Sequence, residues 1–435
     1  MAVFLVEGGH TLSGSIRPTG NKNAALPCIA ATLLSEEEVE LGNVPRIRDV
    51  ETLLEILISL GAEVEWTGPD AVRIRARGVE VARPDPELAE RIRASILLAG
   101  PLLARFGSVS LPPPGGDVIG RRRLDTHFLA FRELGAQIEF GAGDFQIRSA
   151  GLQGRDIFLD EPSVTATENA VMAAVLARGT TRLRNAAAEP HVQDLCGLLN
   201  AMGARISGVG THTLEIEGVE RLGGGSFRIS ADHVETGSFI GLAGVTRSRV
   251  RIQEAPREHL DATLLGFRRL GLECSWDGDD LLVHGDGDLE IRHDAFGHVP
   301  KIDDGPWPAF PADLISIALV TATQCTGTIL LHEKMFESRM FFTDKLVGMG
   351  ARIILCDPHR AVVVGPARLR GSVVESPDIR AGMALLLAAL AAKGTSRIQN
   401  IRQIERGYER VDERLRALGA RIERIPDPGE EGEST

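Results

Sequence analysis

One arrangement of hydrophobic and polar residues occurs six times along the chain. Each copy has an amphipathic run, then Leu-Gly or Met-Gly, then a short stretch of alternating residues, as in "LISLGAEVEW" and "LRALGARIER". The glycines that mark the copies lie 74, 68, 68, 79 and 69 residues apart, at Gly61, Gly135, Gly203, Gly271, Gly350 and Gly419. Spacing this regular indicates six repeats of one structural module.

Each module is predicted to contain two helices, each followed by a strand. The Leu-Gly step predicts the end of an amphipathic helix, because glycine readily adopts the left-handed conformation that terminates helices. The alternating residues that follow predict a strand. A second helix precedes this one and is apolar on nearly every side, as in "ENAVMAAVLA" and "AGMALLLAALAA". The six modules divide into three and three near residues 223–238, which predicts an α/β fold of two domains.

Composition narrows the class of protein. A chain of 435 residues is long enough for two domains, and 43% hydrophobic with 25% charged residues is typical of globular proteins. The formal net charge of -12 argues against nonspecific binding of nucleic acid and against an anionic membrane surface. An anionic ligand would therefore need a local cluster of cations.

The ends and the cysteines point to a cytoplasmic protein. The start "MAVFLVEGGH" lacks the basic and long apolar regions of a signal peptide, and the longest apolar run, residues 381–392, is too short to span a membrane and predicts a buried helix. The five cysteines are odd in number and scattered, and no pair has the spacing of metal ligands. We expect reduced thiols and no structural zinc site.

Charged residues lie where the apolar helices begin. A structural helix needs only a capping side chain there, and cations are disfavoured by the helix dipole. The residues at these positions are Lys22, Asn23, Arg93, Glu168, Asn169, Asp232, Glu235, Asp313, Asp378 and Arg380. A purely structural solenoid would explain the repeats alone. The cations favour an active site that binds an anion.

The stretch "PPPGGDVIGRRRLDTH", residues 112–127, combines a Pro/Gly-rich segment, the lone Asp117 and three consecutive arginines. One interpretation is a solvated turn that leads into a surface helix. The alternative is a mobile loop that closes over an anionic ligand, with stiff proline edges and pliable glycines.

Ten motifs in order along the chain resemble the family of UDP-N-acetylglucosamine 1-carboxyvinyltransferases, which are enolpyruvyl transferases of peptidoglycan synthesis. They are "GNKNAALP", "NVPRIRDVETL", "RASILLAGPLLARFG", "LPPPGGDVIGRRRLDTH", "SVTATENAVMAAV", "EGVERLGGG", "FPADL", "FESRM", "DIRAG" and "ERGYER". The resemblance covers essentially the whole chain, and its motif set is specific.

The resemblance implies an inverse α/β barrel, or prism, of six βαβαββ-type modules, three in each of two domains. The implied domains are 21–231, which carries the 112–127 loop, and 1–20 together with 232–425, followed by a disordered tail at 426–435. Substrates would bind in a cleft between the domains that closes around them.

The implied reaction needs no metal or other cofactor. The 3-hydroxyl of UDP-N-acetylglucosamine adds to C2 of phosphoenolpyruvate, C3 is protonated, and phosphate leaves. Because phosphoenolpyruvate carries a phosphate and a carboxylate, several fixed cations are required. The resemblance assigns Lys22, Arg122 and Arg406 to the phosphate, with Lys22 and Arg406 also catalytic. It assigns Arg339 and Arg380 to the carboxylate side.

The resemblance also assigns the remaining site residues. Asp313 takes the proton of the sugar hydroxyl as general base, although helix capping is the alternative role. Asn23 and Asp378 orient the substrate or neighbouring arginines. The residues expected to line the cleft or contact the nucleotide are Arg93, Asp125, Ser163, Val164, Thr165 and Phe336. Core packing is the alternative for Phe336.

Several positions depart from the family pattern. Asp117 stands where the family usually has cysteine, and a carboxylic acid there could donate a proton if its pKa were raised. Fosfomycin alkylates the family's thiol, so resistance to fosfomycin is expected. Thr165 replaces a usual glycine, Ala188 a residue that is often basic, and Glu405 an aspartate.

Two alternatives stay open at this point. A related enzyme could transfer enolpyruvate to another nucleotide, whereas the shikimate-phosphate enzyme is disfavoured because its first helix would begin with a serine-rich motif. A non-catalytic binding protein could share the fold, but the joint presence of Lys22, Arg122, Asp313, Arg380 and Arg406 argues against it. The sequence does not indicate the oligomeric state.

Overall fold

The computed structural model describes residues 2–116, 120 and 122–426. These residues form two compact units: the N unit, residues 19–116 and 122–230, and the C unit, residues 2–18, 120 and 231–426. Asp117 and Arg121 of the predicted loop lie outside the described residues. So does the predicted tail, except Pro426, which ends the last strand. The domain boundaries stay a prediction.

The described residues of the N unit form three small sheets. In spatial order their strands are β13 (Gly225–Arg228), β3 (Glu38–Gly42), β5 (Val72–Arg75) and β4 (Glu63–Trp66); β6 (Ser108–Leu111), β8 (Phe145–Arg148) and β7 (Gln137–Phe140); β11 (Arg205–Ser207), β12 (Thr213–Glu217), β10 (Thr180–Arg184) and β9 (Asp156–Phe158). The helices are α1 (Lys22–Ala31), α2 (Arg48–Ser59), α3 (Pro86–Ala89), α4 (Ala99–Phe106), α5 (Asp125–Glu133), α6 (Val164–Ala174) and α7 (Pro190–Ala201), with 3-10 turns at Thr32–Leu34 and Arg93–Leu98.

The described residues of the C unit form three more sheets. In spatial order their strands are β21 (Val373–Glu375), β22 (Gly394–Gln399), β1 (Ala2–Gly8) and β23 (Arg421–Pro426); β15 (Glu273–Asp277), β16 (Asp280–His284), β14 (Arg249–Ile252) and β2 (Ser13–Ile16); β17 (Lys301–Asp303), β18 (Gly327–His332), β20 (Arg360–Gly365) and β19 (Ile353–Asp357). The helices are α8 (His233–Val245), α9 (Asp261–Arg269), α10 (Ile315–Ala322), α11 (Thr343–Gly348), α12 (Ile379–Ala391), α13 (Arg402–Glu405) and α14 (Val411–Ala417), with 3-10 turns at Arg257–His259, Ala295–Gly297 and Ala312–Leu314.

The sheet formed by β9 to β12 corresponds to one predicted module. In the module of β9 to β12, the chain runs from β9 through α6 to β10, which pairs with β9 in parallel, and then through α7 to the antiparallel β11 and β12. A parallel pair needs such a crossover, and here the apolar helix supplies it. The α/β fold of repeated modules predicted from the sequence is confirmed.

All six glycines that mark the repeats have positive φ, between 83° and 105°. Each follows an amphipathic helix of its module, and at Gly61 a Cβ atom would also lie 2.5 Å from the carbonyl oxygen of Gly78. Glycine is therefore required for the backbone conformation and for the close approach of the next segment. The prediction that these glycines terminate helices is confirmed.

Each unit has its own hydrophobic core around its apolar helices. In the C unit α8, α10 and α12 pack together, and a Cβ atom at Gly241 of α8 would lie 2.4 Å from Ile317 Cγ2 of α10. The absent side chain thus allows close packing of the helices. The predicted burial of residues 381–392 is confirmed by α12, which is buried from Ile379 to Leu390. Across the described ranges, no helix combines the length and apolarity needed to cross a membrane.

Candidate active site

Asp313 lies between two arginines in the C unit. Its Oδ1 accepts a hydrogen bond from Arg339 Nη2 at 2.9 Å, and its Oδ2 accepts one from Arg380 Nε at 3.0 Å. Arg380 Nη2 also forms an ion pair with Oδ2 at 2.9 Å. Asp313 belongs to the 3-10 turn before α10, and its side chain caps neither that turn nor α10. The capping role considered for Asp313 is thus not seen. The structure brings these three predicted residues together.

Three nitrogens of the two arginines are unsatisfied. Both side chains are almost fully buried, yet Arg339 Nε and Nη1 and Arg380 Nη1 have no hydrogen-bond partner in the described part of the chain. Burial acts to lower the pKa of Arg380, but the charges of Asp313, Tyr408 and Asp232 together outweigh it and the pKa is raised. An unsatisfied buried donor costs about 1–3 kcal/mol, so the cluster is suited to an anionic ligand rich in acceptor oxygens.

A pair of buried hydroxyl groups lies beside Arg380. Ser238 Oγ donates to the Val234 carbonyl at 3.0 Å, so it must accept from Tyr408 at 2.8 Å. The Cζ atom of Arg380 lies 5.5 Å from the centroid of the Tyr408 ring. Burial is the main cause of the raised pKa of Tyr408, which keeps the phenol neutral. The Ser238 hydroxyl thus holds Tyr408, and the Tyr408 ring lies against the Arg380 guanidinium.

The other predicted residues of the C unit lie around this cluster or close to it in sequence. Asp378 caps α12 by accepting from the backbone N–H groups of Arg380 and Ala381 at 2.8 and 2.9 Å. The half-buried Phe336 lies under Arg339, whose Cζ is 4.9 Å from the ring centroid. Arg406 Nη1 donates to Gln403 Oε1 at 3.0 Å.

Lys22 is the first residue of α1 in the N unit, which Asn21 caps. Its ammonium group forms a buried ion pair with Asp49, with Nζ 2.7 Å from Oδ2. Asp49 lies in the first turn of α2, where a carboxylate is also favoured by the helix dipole. The neighbouring Asn23 is half-buried and donates its backbone N–H to Asn21 Oδ1 at 2.9 Å. Asp49 therefore offsets the cost of a cation at this helix start.

Arg93 and Arg122 form a second cationic group in the N unit. Arg93 Nη2 donates to the carbonyl oxygen of Arg122 at 2.8 Å. Burial, followed by the charge of Arg122, lowers the pKa of Arg93 to about 10. The neighbouring Arg123 is ion-paired, with its Nε 3.0 Å from Oδ2 of Asp125. Two arginines that repel each other would bind an anion favourably.

The predicted nucleotide turn begins α6, with Ser163 as the N-cap residue and Val164 and Thr165 after it. Asn169 Nδ2 donates to the Ile96 carbonyl oxygen at 2.8 Å, which identifies it as the amide nitrogen. It is therefore also the donor in its 3.0 Å hydrogen bond with His127 Nδ1. His127 therefore carries its hydrogen on Nε2 and donates it to Thr165 Oγ1 at 3.1 Å.

The burial of His127 accounts for its protonation state. Burial, with a smaller effect of the Arg93 charge, lowers the pKa of His127 to about 3, so the ring is neutral. Thr165, which replaces the glycine usual in the family, thus has a hydroxyl group oriented by His127. The accepted hydrogen bond leaves the hydroxyl hydrogen available to another acceptor.

Sequence reasoning missed several residues of these clusters. Asp49 and Tyr408 lie inside quoted motifs, so their positions offered a signal that could have found them. Glu333 and Asp304, which lie behind Arg339, had no such signal. Each follows a strand as an ordinary acidic residue, and only the pairing of the strands brings them together.

The fold and the clusters place the chain in a known class. Residues 6–415 match the family model of EPSP synthase (3-phosphoshikimate 1-carboxyvinyltransferase), so the chain belongs to that family. In fold it is similar to the enolpyruvyl transferase NikO of Streptomyces tendae, with a TM-score of 0.86 and 24% identity over 98% of this chain and 99% of that one. An EPSP synthase of Acinetobacter baumannii has a TM-score of 0.75 at 18% identity, over 98% and 100%.

Closer relatives identify the group within this class. A UDP-N-acetylglucosamine 1-carboxyvinyltransferase of Bradyrhizobium diazoefficiens is 63% identical over 98% of both chains. Proteins of the same name from Treponema denticola and Borreliella burgdorferi are 55% and 52% identical, over 97% and 98% of this chain and 99% of each relative. The chain belongs to the family of UDP-N-acetylglucosamine 1-carboxyvinyltransferases, as its motifs predicted.

Proposed function

We infer that the chain is a transferase that moves the enolpyruvyl group of phosphoenolpyruvate to the 3-hydroxyl of UDP-N-acetylglucosamine and releases phosphate, the first committed step of peptidoglycan synthesis. The relatives named for this activity are 52–63% identical over nearly the whole chain. The structural observation that carries the inference is a carboxylate held between two buried arginines whose remaining N–H groups are unsatisfied. Such a cluster suits an anionic substrate next to a general base.

In this proposal the unsatisfied nitrogens of Arg339 and Arg380 bind the carboxylate of phosphoenolpyruvate. The same guanidinium groups hold Asp313, so the substrate and Asp313 share their donors. Binding would weaken the hold on Asp313 and leave its oxygens able to accept the proton of the sugar hydroxyl. The substrate that brings the reacting carbon would thus also prepare the base.

The reaction forms a bond between the sugar O3 and C2 of phosphoenolpyruvate while C3 gains a proton. Loss of a C3 proton and of phosphate from the tetrahedral intermediate then restores the double bond. We propose Asp117 as the acid that acts on C3 or assists product release. This assignment rests on the family position alone, because Asp117 lies outside the described residues.

The N unit supplies the remaining proposed contacts. We assign Lys22 and Arg122, with Arg406 of the C unit, to the phosphate group. The repulsion between Arg93 and Arg122 supports an anionic ligand beside them. The turn from Ser163 to Thr165 would contact the nucleotide through its backbone and through the Thr165 hydroxyl. The remaining roles stay as predicted. Asn23 and Asp378 would orient the substrate or neighbouring arginines, and Asp125 and Phe336 would line the cleft or contact the nucleotide.

The test is the release of phosphate from phosphoenolpyruvate in the presence of a panel of acceptors that includes UDP-N-acetylglucosamine. We expect release with this acceptor and no metal requirement. Release only with another nucleotide would favour the related enzyme, which the threonine at position 165 makes worth testing. Absence of release with every acceptor would favour a binding protein.

We propose that the enzyme acts in the cytoplasm. All five cysteines are free thiols, as expected in a reducing compartment. Burial raises the pKa of Cys196 and Cys325 to about 12, so these thiols are unreactive.

A further inference from the structure

A pair of buried carboxyl groups lies behind Arg339. Asp304 follows β17 and Glu333 follows β18, and these strands are parallel neighbours with Asp303 opposite His332. The residues that follow these two along the chain, Asp304 and Glu333, are therefore adjacent. Asp304 is 1% exposed and Glu333 is 0% exposed, so both acids are withdrawn from water.

One oxygen of each acid is bound by the backbone of the same short segment. Glu333 Oε1 accepts from the N–H groups of Met335 and Phe336, both at 3.1 Å, and Asp304 Oδ1 accepts from the N–H of Lys334. The Glu333 main chain is in turn fixed by His359, which donates Nδ1–H to its carbonyl at 2.8 Å. The pair thus organises the segment that leads to Phe336 and Arg339.

The other oxygen of each acid lacks a partner. Glu333 Oε2 and Asp304 Oδ2 are buried without a hydrogen bond to any described residue. Two ionised carboxylates accept only, so they could not satisfy each other, whereas one shared proton supplies the missing donor. Burial, then the hydrogen bond with Asp304, raises the pKa of Glu333 to about 9. Glu333 therefore holds the proton at neutral pH.

The protonation of Glu333 matters for Arg339. Glu333 Oε2 lies 3.6 Å from Arg339 Nε, too far for a hydrogen bond but close enough for an ionised carboxylate to attract that N–H. The other groups near Glu333 are charged or titratable as well. Asp304 and Arg339 face its carboxyl group, His359 contacts only its backbone, and Lys334 extends outward to pair with Asp303.

We propose that Glu333, kept neutral by sharing a proton with Asp304, is a positioning residue that leaves the Nε and Nη1 groups of Arg339 open for the substrate anion. The inference rests on the proposed function, because it takes phosphoenolpyruvate as that anion. It explains why a third carboxyl group beside the arginine cluster does not consume the donors that the substrate needs.

Two isosteric substitutions are expected to act in opposite ways. Glu333→Gln keeps the neutral state and the acceptor for the backbone, so the KM for phosphoenolpyruvate at pH 7.5 should stay within about twofold of the natural protein. In Asp304→Asn the amide donates to Glu333 and favours its ionised form, which captures Arg339. The KM for phosphoenolpyruvate should then rise about tenfold or more, the equivalent of one charged hydrogen bond, with a smaller change in kcat.

The double variant and the pH profile separate positioning from simple support of the fold. Asp304→Asn combined with Glu333→Gln should restore the KM, because no carboxylate is left to compete for Arg339. The natural protein should lose affinity for phosphoenolpyruvate as the pH rises through about 9, and Glu333→Gln should lack this loss. Asp303→Asn, next to Asp304 but only half-buried and paired with lysines, is the matched control and should leave the KM unchanged.

The measurements are phosphate-release kinetics with both substrates from pH 6.5 to 9.5 and thermal unfolding of each variant. A tenfold rise in KM for Glu333→Gln at pH 7.5, an unrescued double variant, or an alkaline loss retained in Glu333→Gln would each overturn the proposal. If Asp304→Asn does not fold, the alkaline profile of Glu333→Gln decides alone. Absence of phosphate release by the natural protein would instead reject the proposed function itself.

Discussion

Replacement of Asp313 by asparagine tests whether this residue is the general base or only the link between two arginines. The substitution keeps the shape and one acceptor oxygen but removes the charge and the second acceptor. Asp313 accepts two hydrogen bonds, from Arg339 Nη2 and Arg380 Nε, at 2.9 and 3.0 Å, and Arg380 Nη2 forms a further ion pair with it at 2.9 Å. We expect the fold to persist and turnover to fall about 10²–10⁴-fold, the usual contribution of a general base.

The loss of stability follows from the same contacts. Hydrogen bonds to charged groups contribute about 1.5–3 kcal/mol each, so the two would give at most about 6 kcal/mol. The asparagine side chain would retain one of them, and the Asp313 side chain is 25% exposed, so water replaces part of the rest. We therefore expect a loss of about 3 kcal/mol, seen as a Tm lowered by about 6–12 °C.

This loss of stability cannot account for the expected loss of turnover. If the natural protein is stable by about 10 kcal/mol, a variant that keeps about 7 kcal/mol has roughly one molecule in 10⁵ unfolded. The assays are phosphate release, thermal unfolding and binding of phosphoenolpyruvate by calorimetry. Binding should be unchanged or tighter, because Asp313 no longer competes for the arginine donors.

Asp357→Asn is the matched control. The Asp357 side chain is 29% exposed and also pairs with an arginine, Arg360, but it is the last residue of β19, before the turn to β20. It should retain normal turnover. Near-normal turnover of Asp313→Asn would refute the general-base assignment, and a loss of affinity that matches the loss of turnover would show that Asp313 only organises the arginines. Asp313→Ala should likewise fold and lose most phosphate release.

Three further predictions concern the N unit and the predicted loop. Lys22→Met removes the ammonium partner of buried Asp49, so we expect a loss of about 3 kcal/mol and of turnover, whereas adding Asp49→Asn should restore the Tm but not the activity. Thr165→Val leaves the buried His127 N–H without its acceptor and should raise the KM for the nucleotide about threefold to tenfold, while Thr165→Ser should not. Inactivation assays should show resistance of the natural protein to fosfomycin and a gain of sensitivity in Asp117→Cys; rapid covalent inactivation of the natural protein would contradict this.

The repeats were predictable because each carries its own local signals. A glycine at a helix end is selected by backbone conformation, which depends on a few neighbouring residues, and the six glycines at positive φ, such as Gly61, show that dependence. The burial of α12 follows as directly from its composition. Alternating strands and helices then leave few ways to pair, since a parallel pair needs the crossover helix.

The candidate site was predictable only in part. Motif positions indicated Asp313, Arg339 and Arg380, and these three lie in contact. The partners that hold them were not indicated, because the relevant contacts join distant parts of the chain. Tyr408 reaches Ser238 across 170 positions. A buried hydroxyl and an exposed one look alike in a sequence.

The buried acids Asp304 and Glu333 were harder still to predict from the sequence. Asp304 and Glu333 stand 29 positions apart (333 − 304), and neither differs from a surface acid in its local pattern. Their shared proton depends on burial and on the pairing of β17 with β18, which are properties of the folded chain. Composition treats both as negative charges, although the raised pKa of Glu333 keeps that residue protonated at neutral pH.

The charge of each candidate cluster is therefore set by geometry rather than by composition. A net charge of -12 would repel a substrate with a phosphate and a carboxylate if the charges were spread evenly. Buried charges interact strongly only with near neighbours. Arg339 and Arg380 form ion pairs with Asp313, and Lys22 forms one with Asp49. Asp313 does not occupy all of the N–H groups of Arg339 and Arg380. Because Glu333 is neutral, Arg339 keeps N–H groups that an anion can occupy, so an acidic chain can bind an acidic substrate.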